Sequence, residues 1–290
     1  MAVATHGGAV SKAAPLTGVD WRLIAPLALT YMVFFVTPLV LLFGISLYDD
    51  IEMTQIGGSQ WGRFFSDAFY RGVLFDTLKL GVLTVVATTF LSYPLALAFC
   101  SASPRAQRIL IFIILLPLLT SVVVRNFAWI VILAREGLIN QSLIWMGFTT
   151  TPVSVLQTEF GLILALTQIE MPLMLLPLLT VMRQIDPNLT DASRALGASR
   201  WRTFFRVLLP LSMPGWIAGA ILVFASSTTA FVSQSVIGGA RLVYLPALIW
   251  QQAMVVYNWP FAAVASMALL VTVLVGIMLL GLLARLMKSV

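Results

Sequence analysis

The sequence predicts an all-α membrane protein, a helical bundle of six spans with both termini on the cytoplasmic side. Hydrophobic residues make up 60% of the 290 residues and charged residues only 10%, with a mean hydropathy of +1.00. Average soluble domains carry roughly 25% charged residues, so the composition excludes an ordinary soluble protein. Six apolar stretches reach the length of about 20 residues that crosses a bilayer. Basic and acidic residues fall in alternate loops, which orients the bundle.

Each span follows from one apolar stretch between polar loops. The six predicted spans are 23–47, 77–98, 109–133, 160–182, 211–237 and 261–283. Residues 1–22 are expected to form a flexible cytoplasmic tail, so that 23–290 form one transmembrane domain. Pro117, Pro172 and Pro177 predict kinks in the third and fourth spans, and kinked spans need neighbouring helices to satisfy the freed carbonyls. The connection at 238–259 lies outside, with a helix near its centre expected to dip back.

The loop at 185–206 is the longest polar segment between two apolar ones. Asp186 is a suitable N-cap, and Pro187 fits the first helical position, which predicts a helix over 188–196. Gly197 then fits the left-handed residue that ends a helix. Such a rigid cytoplasmic element is a candidate docking site for a soluble partner. The alternative is that its arginines only fix the topology.

Two ionisable residues lie inside predicted spans, Arg125 and Glu170. A charge at this depth costs a few kcal/mol by insertion scales, so it usually meets a partner or water. Counting residues from the span ends places both at similar depth, which allows a structural ion pair. The functional alternative is that Glu170 and Gln168 face a path for a cationic solute. Phe231 and Thr228 are further candidates for that path, through cation–π contact and exchangeable hydrogen bonds.

Enzyme motifs are absent from the sequence. There is no phosphate-binding loop of the G-x-x-x-x-G-K-[ST] kind, no H-E-x-x-H and no G-x-S-x-G. The single His6 and single Cys100 offer no metal-binding spacing. We therefore predict no catalytic residue, no metal and no cofactor in this chain. The net charge of +6 is explained by the cytoplasmic loops and is not evidence for nucleic-acid binding.

A family resemblance arises at the polar loop. The run Asp191-Ala192-Ser193, followed by Gly197-Ala198 and later Leu209-Pro210, resembles the Glu-Ala-Ala coupling loop of ABC-importer permeases. Asp191 stands where that family has Glu, and Ser193 stands where it has Ala. The resemblance spans most of the chain, with a shared core at about 73–283. Segments 117–129 and 231–260 resemble most closely the spermidine/putrescine-type permeases.

The resemblance implies the type I importer permease fold in a bacterial inner membrane. It implies a permease subunit that works with a second permease, an ABC ATPase dimer carrying ATP and Mg²⁺, and a periplasmic substrate-binding protein. The expected solute is a polyamine or a related amine. The residues expected to couple the chain to the ATPase are Leu189, Asp191, Ala192, Ser193, Leu196 and Gly197.

An alternative of another class is a self-sufficient secondary transporter or channel. It would carry solute without a separate ATPase. The scarcity of acidic residues within the spans and the lack of an inverted repeat disfavour this alternative.

Overall fold

The computed structural model describes residues 21–288, with side chains described for 25–282. Almost all of the predicted tail at 1–22 therefore lies outside the described residues. The described chain is helical, with one isolated antiparallel bridge between Tyr48 and Ile56. It divides near Gly44 into two compact units.

The first unit is one apolar helical stretch. It comprises α1 (Trp21–Tyr31), a π-helical segment (Met32–Val36) and α2 (Thr37–Ile45). The stretch Ala25–Ile45 is long and apolar enough to cross a membrane, as the first predicted span requires.

The second unit contains the remaining helices of the described chain. In order, they are α3 (Ser59–Ser66), α4 (Ala68–Ser101), α5 (Pro104–Leu119), α6 (Val122–Leu133), α7 (Leu138–Trp145), α8 (Glu159–Met182), α9 (Pro187–Ala195), α10 (Arg200–Thr203), α11 (Leu209–Thr228), α12 (Phe231–Gly238), α13 (Leu245–Met254) and α14 (Trp259–Lys288). A π-helical segment, Phe204–Leu208, joins α10 to α11 in one continuous helix.

The helices of this unit that are long and apolar enough to cross a membrane include the predicted spans. Four are continuous: α4, α8, the helix Arg200–Thr228 and α14. The segment from Pro104 to Trp145 passes the same test of length and composition only as a bent pair. Together with the stretch in the first unit, the described chain has five continuous helices that could cross a membrane, or seven if this bent pair and a second one, Phe231–Arg241 with Leu245–Met254, each count as one span. The six predicted spans fall within this range.

The third predicted span, 109–133, differs from a single helix. It is two helices, α5 and α6, separated by an extended residue at Thr120. The segment Val122–Trp145, which comprises α6 and α7, is bent by 101° from α5. The helix continues through Pro117 and ends two residues later, where the Thr120 N–H and hydroxyl both bond to the Pro117 carbonyl. The side chain therefore competes with the next helical turn for this carbonyl.

The fifth predicted span, 211–237, also differs, because α11 ends at Thr228 and α12 starts at Phe231. The Gln234 Nε2 donates to the carbonyls of Ser227 and Thr228 at 2.9 and 3.3 Å. These are carbonyls of the last helical turn, which need partners from outside the helix. The side-chain amide thus stabilises the end of α11.

The expected external helix near residue 250 is α13, which is bent by 88° from the helical segment before it.

The centre of this unit is α8, which packs against α4 and α11. Gly215 and Gly219, four residues apart on α11, lie directly on α8. A Cβ at Gly215 would lie 2.7 Å from the Pro177 carbonyl oxygen, and one at Gly219 would lie 2.9 Å from the Met174 Cα. This small-residue spacing allows two spans to approach closely through their backbones.

Polar contacts fix α11 to α4 toward the cytoplasmic end. Tyr93 and Ser212 share a hydrogen bond of 3.1 Å between their hydroxyls. The Trp216 indole N–H donates to the Thr89 hydroxyl at 2.9 Å. Because α11 is held to both α4 and α8, a displacement of its cytoplasmic end acts on both neighbours.

The segment before α4 is an ordered turn on the extracytoplasmic side. Asp49 accepts hydrogen bonds from the backbone and hydroxyl of Ser59, at the start of α3. Asp50 accepts from Thr54 and from the Gln55 backbone N–H. The hydrogen bonds from Thr54, followed by those from the backbone, hold the pKa of Asp50 at about 2.

Candidate functional site

A cavity of about 360 Å³ lies between α6, α8, α11 and α12. The two breaks in the predicted spans lie at its wall, because Leu118 and Val122 flank the first break and Thr229 and Ala230 form the second. Its polar lining is Arg125, Glu170, Ser226, Thr229 and Ser233. Its apolar lining is Leu118, Val122, Ile169, Leu173, Ala230, Phe231 and Val232. The cavity therefore combines an apolar wall with a few convergent polar groups, as solute-binding sites do.

Glu170 is the acidic residue of the cavity and is 5% exposed. It sits in the middle of the apolar helix α8, and its Oε1 accepts a hydrogen bond of 2.9 Å from the Ser226 hydroxyl on α11. A buried carboxylate is retained only where it is hydrogen-bonded or meets an opposite charge. The close contact of α8 and α11 through Gly219 brings the donor within reach.

Arg125 lies on the opposite side of the same cavity, on α6. Its Nη1 donates to the Ile169 carbonyl at 3.3 Å, and its Nε has no hydrogen-bond partner among the described residues. The ion pairs found among residues 25–282 are Lys79–Glu159 and Arg194–Asp191, so Arg125 and Glu170 are not one. The structural pair considered from the sequence is therefore not formed, although both charges face one space.

The other three predicted path residues separate into two groups. Phe231 lines the cavity and stacks on Trp250 of α13, with the ring centroids 5.9 Å apart. Gln168 points elsewhere and accepts a 3.0 Å hydrogen bond from the Trp129 indole. Thr228 is fully buried and donates to the Phe224 carbonyl within its own helix. Gln168 and Thr228 are thus not part of the cavity lining.

Two polar residues of this region, Ser233 and Asn126, were not predicted from the sequence. Ser233 lines the cavity together with Thr229, which belongs to the hydroxyl run 226–229 of the fifth predicted span. Asn126 on α6 is completely buried beside Arg125. The sequence signal for Asn126 was its amide inside the apolar run 122–133, because such a polar side chain is unusual in a lipid-facing helix.

The predicted cytoplasmic helix is α9, and its local geometry is confirmed. The Asp186 carboxylate accepts from the Asn188 backbone N–H at 2.9 Å, and Pro187 opens the helix. Gly197 follows the helix with a φ of +80°, the left-handed conformation expected of it. The loop is thus a rigid helix-and-turn element and not an irregular connection.

Most of the predicted coupling residues of α9 are open to solvent. Leu196 is 89% exposed, and Leu189, Asp191, Ala192 and Gly197 are exposed as well. Ser193 is different, because its hydroxyl shares a 3.0 Å hydrogen bond with Thr203 of α10. This bond ties α9 to the helix that continues into α11.

The described residues contain no cluster of His, Cys, Asp or Glu suited to hold a metal ion.

Comparisons with known proteins agree with this architecture. The chain is 32% identical over 214 residues to the spermidine/putrescine transport system permease protein PotB of Escherichia coli (strain K12), a match covering 74% of this chain and 77% of PotB. It is 28% identical over 265 residues to the inner membrane ABC transporter permease protein YdcU of the same organism, covering 86% and 84%.

A solved structure supports the fold independently. One chain of a bacterial ABC transporter involved in the import of the acidic polysaccharide alginate superimposes with a TM-score of 0.75 at 19% identity, covering 92% of this chain and 96% of that one. The family described as "Binding-protein-dependent transport system inner membrane component" matches residues 18–289. The chain therefore belongs to the family of binding-protein-dependent transport system inner-membrane components.

Proposed function

We propose that this chain forms, with a second and similar permease subunit, the translocation path for a small organic amine of the spermidine and putrescine class. Family membership makes it a multi-pass inner-membrane permease subunit of an ATP-driven importer, and not an enzyme. The amine class is proposed because permeases 32% identical to this chain are named for spermidine and putrescine. The relatives provide no support for a self-sufficient secondary transporter.

The observation that carries the substrate class is the buried carboxylate of Glu170 in an otherwise largely apolar cavity. A carboxylate attracts an ammonium group, and the face of Phe231 offers a cation–π contact. The apolar wall around Leu118 and Leu173 suits the methylene chain of a polyamine. Arg125 keeps the formal charge of the cavity near zero, so an amine would be held weakly. A path needs such weak contacts, because the solute must leave as readily as it enters.

The source of energy is proposed to be a separate ATPase dimer that binds ATP and Mg²⁺. This chain has no phosphate-binding loop, and α9 exposes the small and apolar surface of Ala192 and Leu196 together with the carboxylate of Asp191. A surface of this kind suits docking in a cleft of a soluble protein. A periplasmic binding protein is proposed to deliver the solute on the other side.

The position of α9 suggests how ATPase motion would reach the solute. The helix lies between α8 and α10, and its Ser193 is bonded to Thr203. From there α10 continues into α11 without interruption. α9 therefore joins the two helices that carry Glu170 and Ser226. A displacement of α9 would shift these helices and change the environment of the carboxylate. The carboxylate would then contact the solute differently in the two states, as alternating access requires.

Glu170→Gln is the experiment that tests this proposal. It keeps the size of the side chain and removes its charge. We expect ATP-dependent uptake of radiolabelled putrescine by the purified complex in proteoliposomes to fall about tenfold, which corresponds to about 1.4 kcal/mol. Co-purification of the ATPase at the wild-type level would show that the complex still assembles.

Glu159→Gln is the matched control, because Glu159 is a carboxylate on the same helix but outside the cavity. It is half-exposed and paired with Lys79 at 2.8 Å. Exposed pairs contribute about 0–1 kcal/mol, so this variant should retain most of its uptake. Equal uptake by both variants would remove Glu170 from the path.

A further inference from the structure

Asn126 is a buried amide without a partner. It lies near the middle of α6 and is 0% exposed, yet neither its Nδ2 nor its Oδ1 has a hydrogen-bond partner among the described residues. Folded proteins pair nearly all such groups, because an unmade bond leaves the cost of dehydration uncompensated. An unpaired amide therefore destabilises the packing that buries it.

A second incomplete amide lies on α12, the helix that packs most extensively against α6. Gln234 is 1% exposed, and its Nε2 caps α11 through Ser227 and Thr228. Its Oε1 has no partner in the described chain. One helix thus buries an unpaired donor and acceptor, and the other buries an unpaired acceptor.

Both helices are attached through a non-helical break and form part of the cavity wall. α6 follows the extended Thr120, and α12 follows the Thr229–Ala230 break. Arg125 and Phe231 are their respective contributions to the cavity lining. Two short helices with breaks at their starts can rotate at less cost than continuous spans, because few helical hydrogen bonds must change.

We propose that α6 and α12 form a gate on the extracytoplasmic half of the path, and that the unpaired amide of Asn126 keeps the closed packing weak enough to open. In the open state the amide meets water or the solute and recovers its hydrogen bonds. The closed state lacks that stabilisation, so opening costs less than separating an apolar interface. This proposal rests on the proposed function, since a gate has meaning only in a chain that lines a path. Asn126 acts through the packing of α6 against α12, so it is a positioning residue.

The chain contains a natural control for this reasoning in Asn140 on α7. It is also buried, at 1% exposed, but it is fully paired. Its Nδ2 donates to the carbonyls of Ala134 and Val153 at 3.0 Å each, and its Oδ1 accepts from the Val153 N–H at 2.8 Å. Asn140 therefore stabilises its surroundings, whereas Asn126 does not.

The test compares Asn126→Leu with Asn140→Leu in the complex purified with its ATPase. Leucine is close in size to asparagine and has no polar group. We expect Asn126→Leu to raise the Tm by about 2–4 °C and Asn140→Leu to lower it. We further expect Asn126→Leu to reduce ATP-dependent putrescine uptake about tenfold, since a more stable closed state opens less often. A merely structural role would lower stability and uptake together.

Cysteine labelling supplies a second measurement that does not depend on the leucine variant. In a Cys100→Ser background, Asn126→Cys should react with a membrane-impermeant maleimide at least tenfold faster during ATP turnover than without nucleotide. An equal rate in both states would overturn the gate. A fall in Tm for Asn126→Leu would overturn it too, because the amide would then be satisfied in the closed state.

These outcomes are separable from failure of the proposed function. A wild-type complex that does not take up putrescine but shows nucleotide-dependent labelling would contradict the amine assignment and leave the gate in place. Normal putrescine uptake by both the wild type and Asn126→Leu would contradict the gate and leave the amine assignment in place.

Discussion

The turn after α9 allows a prediction whose magnitude follows from one backbone angle. Gly197 has a φ of +80°, and a Cβ built there meets no atom within 4 Å. A substitution therefore adds no steric overlap with neighbours, and its cost is confined to the backbone. An ordinary L-residue pays about 1–2 kcal/mol in this conformation, asparagine pays less, and a β-branched residue pays more.

This cost converts directly into a graded loss of coupling. A difference of 1–2 kcal/mol lowers the population of the required turn by a factor of about 5–30. We expect ATP-dependent uptake in proteoliposomes to decrease in the order Gly197, Gly197→Asn, Gly197→Ala and Gly197→Val, with valine abolishing it. The ATPase activity of the complex should decouple from uptake along the same series, because the proposed nucleotide site lies on a separate ATPase chain.

Gly147 is the matched control, since its φ is +77° and its Cβ position is equally open. Gly147→Ala carries the same backbone strain on the extracytoplasmic side, after α7. It should leave coupled uptake near the wild-type level. Normal transport by Gly197→Val would refute the reasoning, as would an equal loss in Gly147→Ala.

Two further predictions concern packing and the extracytoplasmic turn. Gly219→Val should lower the Tm of the complex, because its Cβ would press on Met174 backbone atoms. Overpacking of this kind costs about 1–3 kcal/mol. The control variant Gly62→Ala has open space around its Cβ and should change the Tm little. An unchanged Tm for Gly219→Val would contradict the close contact of α8 and α11. The pKa of Asp50 is lowered from 3.8 to about 2, so its bonds to Thr54 stabilise the turn above pH 4 and are lost as the pH falls from about 4 to about 2. Hydrogen exchange of the turn, corrected for intrinsic rates, should accelerate across that window, and Asp50→Asn should show faster exchange already at pH 7; constant protection would count against this role.

Local chemistry made α9 predictable from the sequence. Asp186, Pro187 and Gly197 each act within a few residues of their own position, so the cap, the first turn and the end of the helix follow without tertiary information. The first, second, fourth and sixth spans were equally predictable, since about 20 apolar residues have few alternatives to crossing the membrane.

The breaks in the third and fifth spans depend on contacts that a local pattern does not contain. Within 211–237 the four hydroxyl residues 226–229 give no helix-stop signal such as glycine or proline, and the end of α11 is stabilised by Gln234 from the following helix. The similar depth of Arg125 and Glu170 in their predicted spans correctly indicated that both side chains face the same cavity. They do not form an ion pair; instead, Glu170 accepts a hydrogen bond from Ser226 and Arg125 donates one to a backbone carbonyl.

The central claim is that a cytoplasmic helix of this chain receives force from a separate ATPase. A photo-crosslinking residue in place of Leu196, the most exposed apolar side chain of the loop, tests it most directly in native membranes. We predict one dominant adduct with a nucleotide-binding chain, whose yield changes when ATP is added, and protection from reagents applied outside the cell. Labelling of this position from the outer face, or putrescine transport by the purified chain with no ATPase present, would contradict the account.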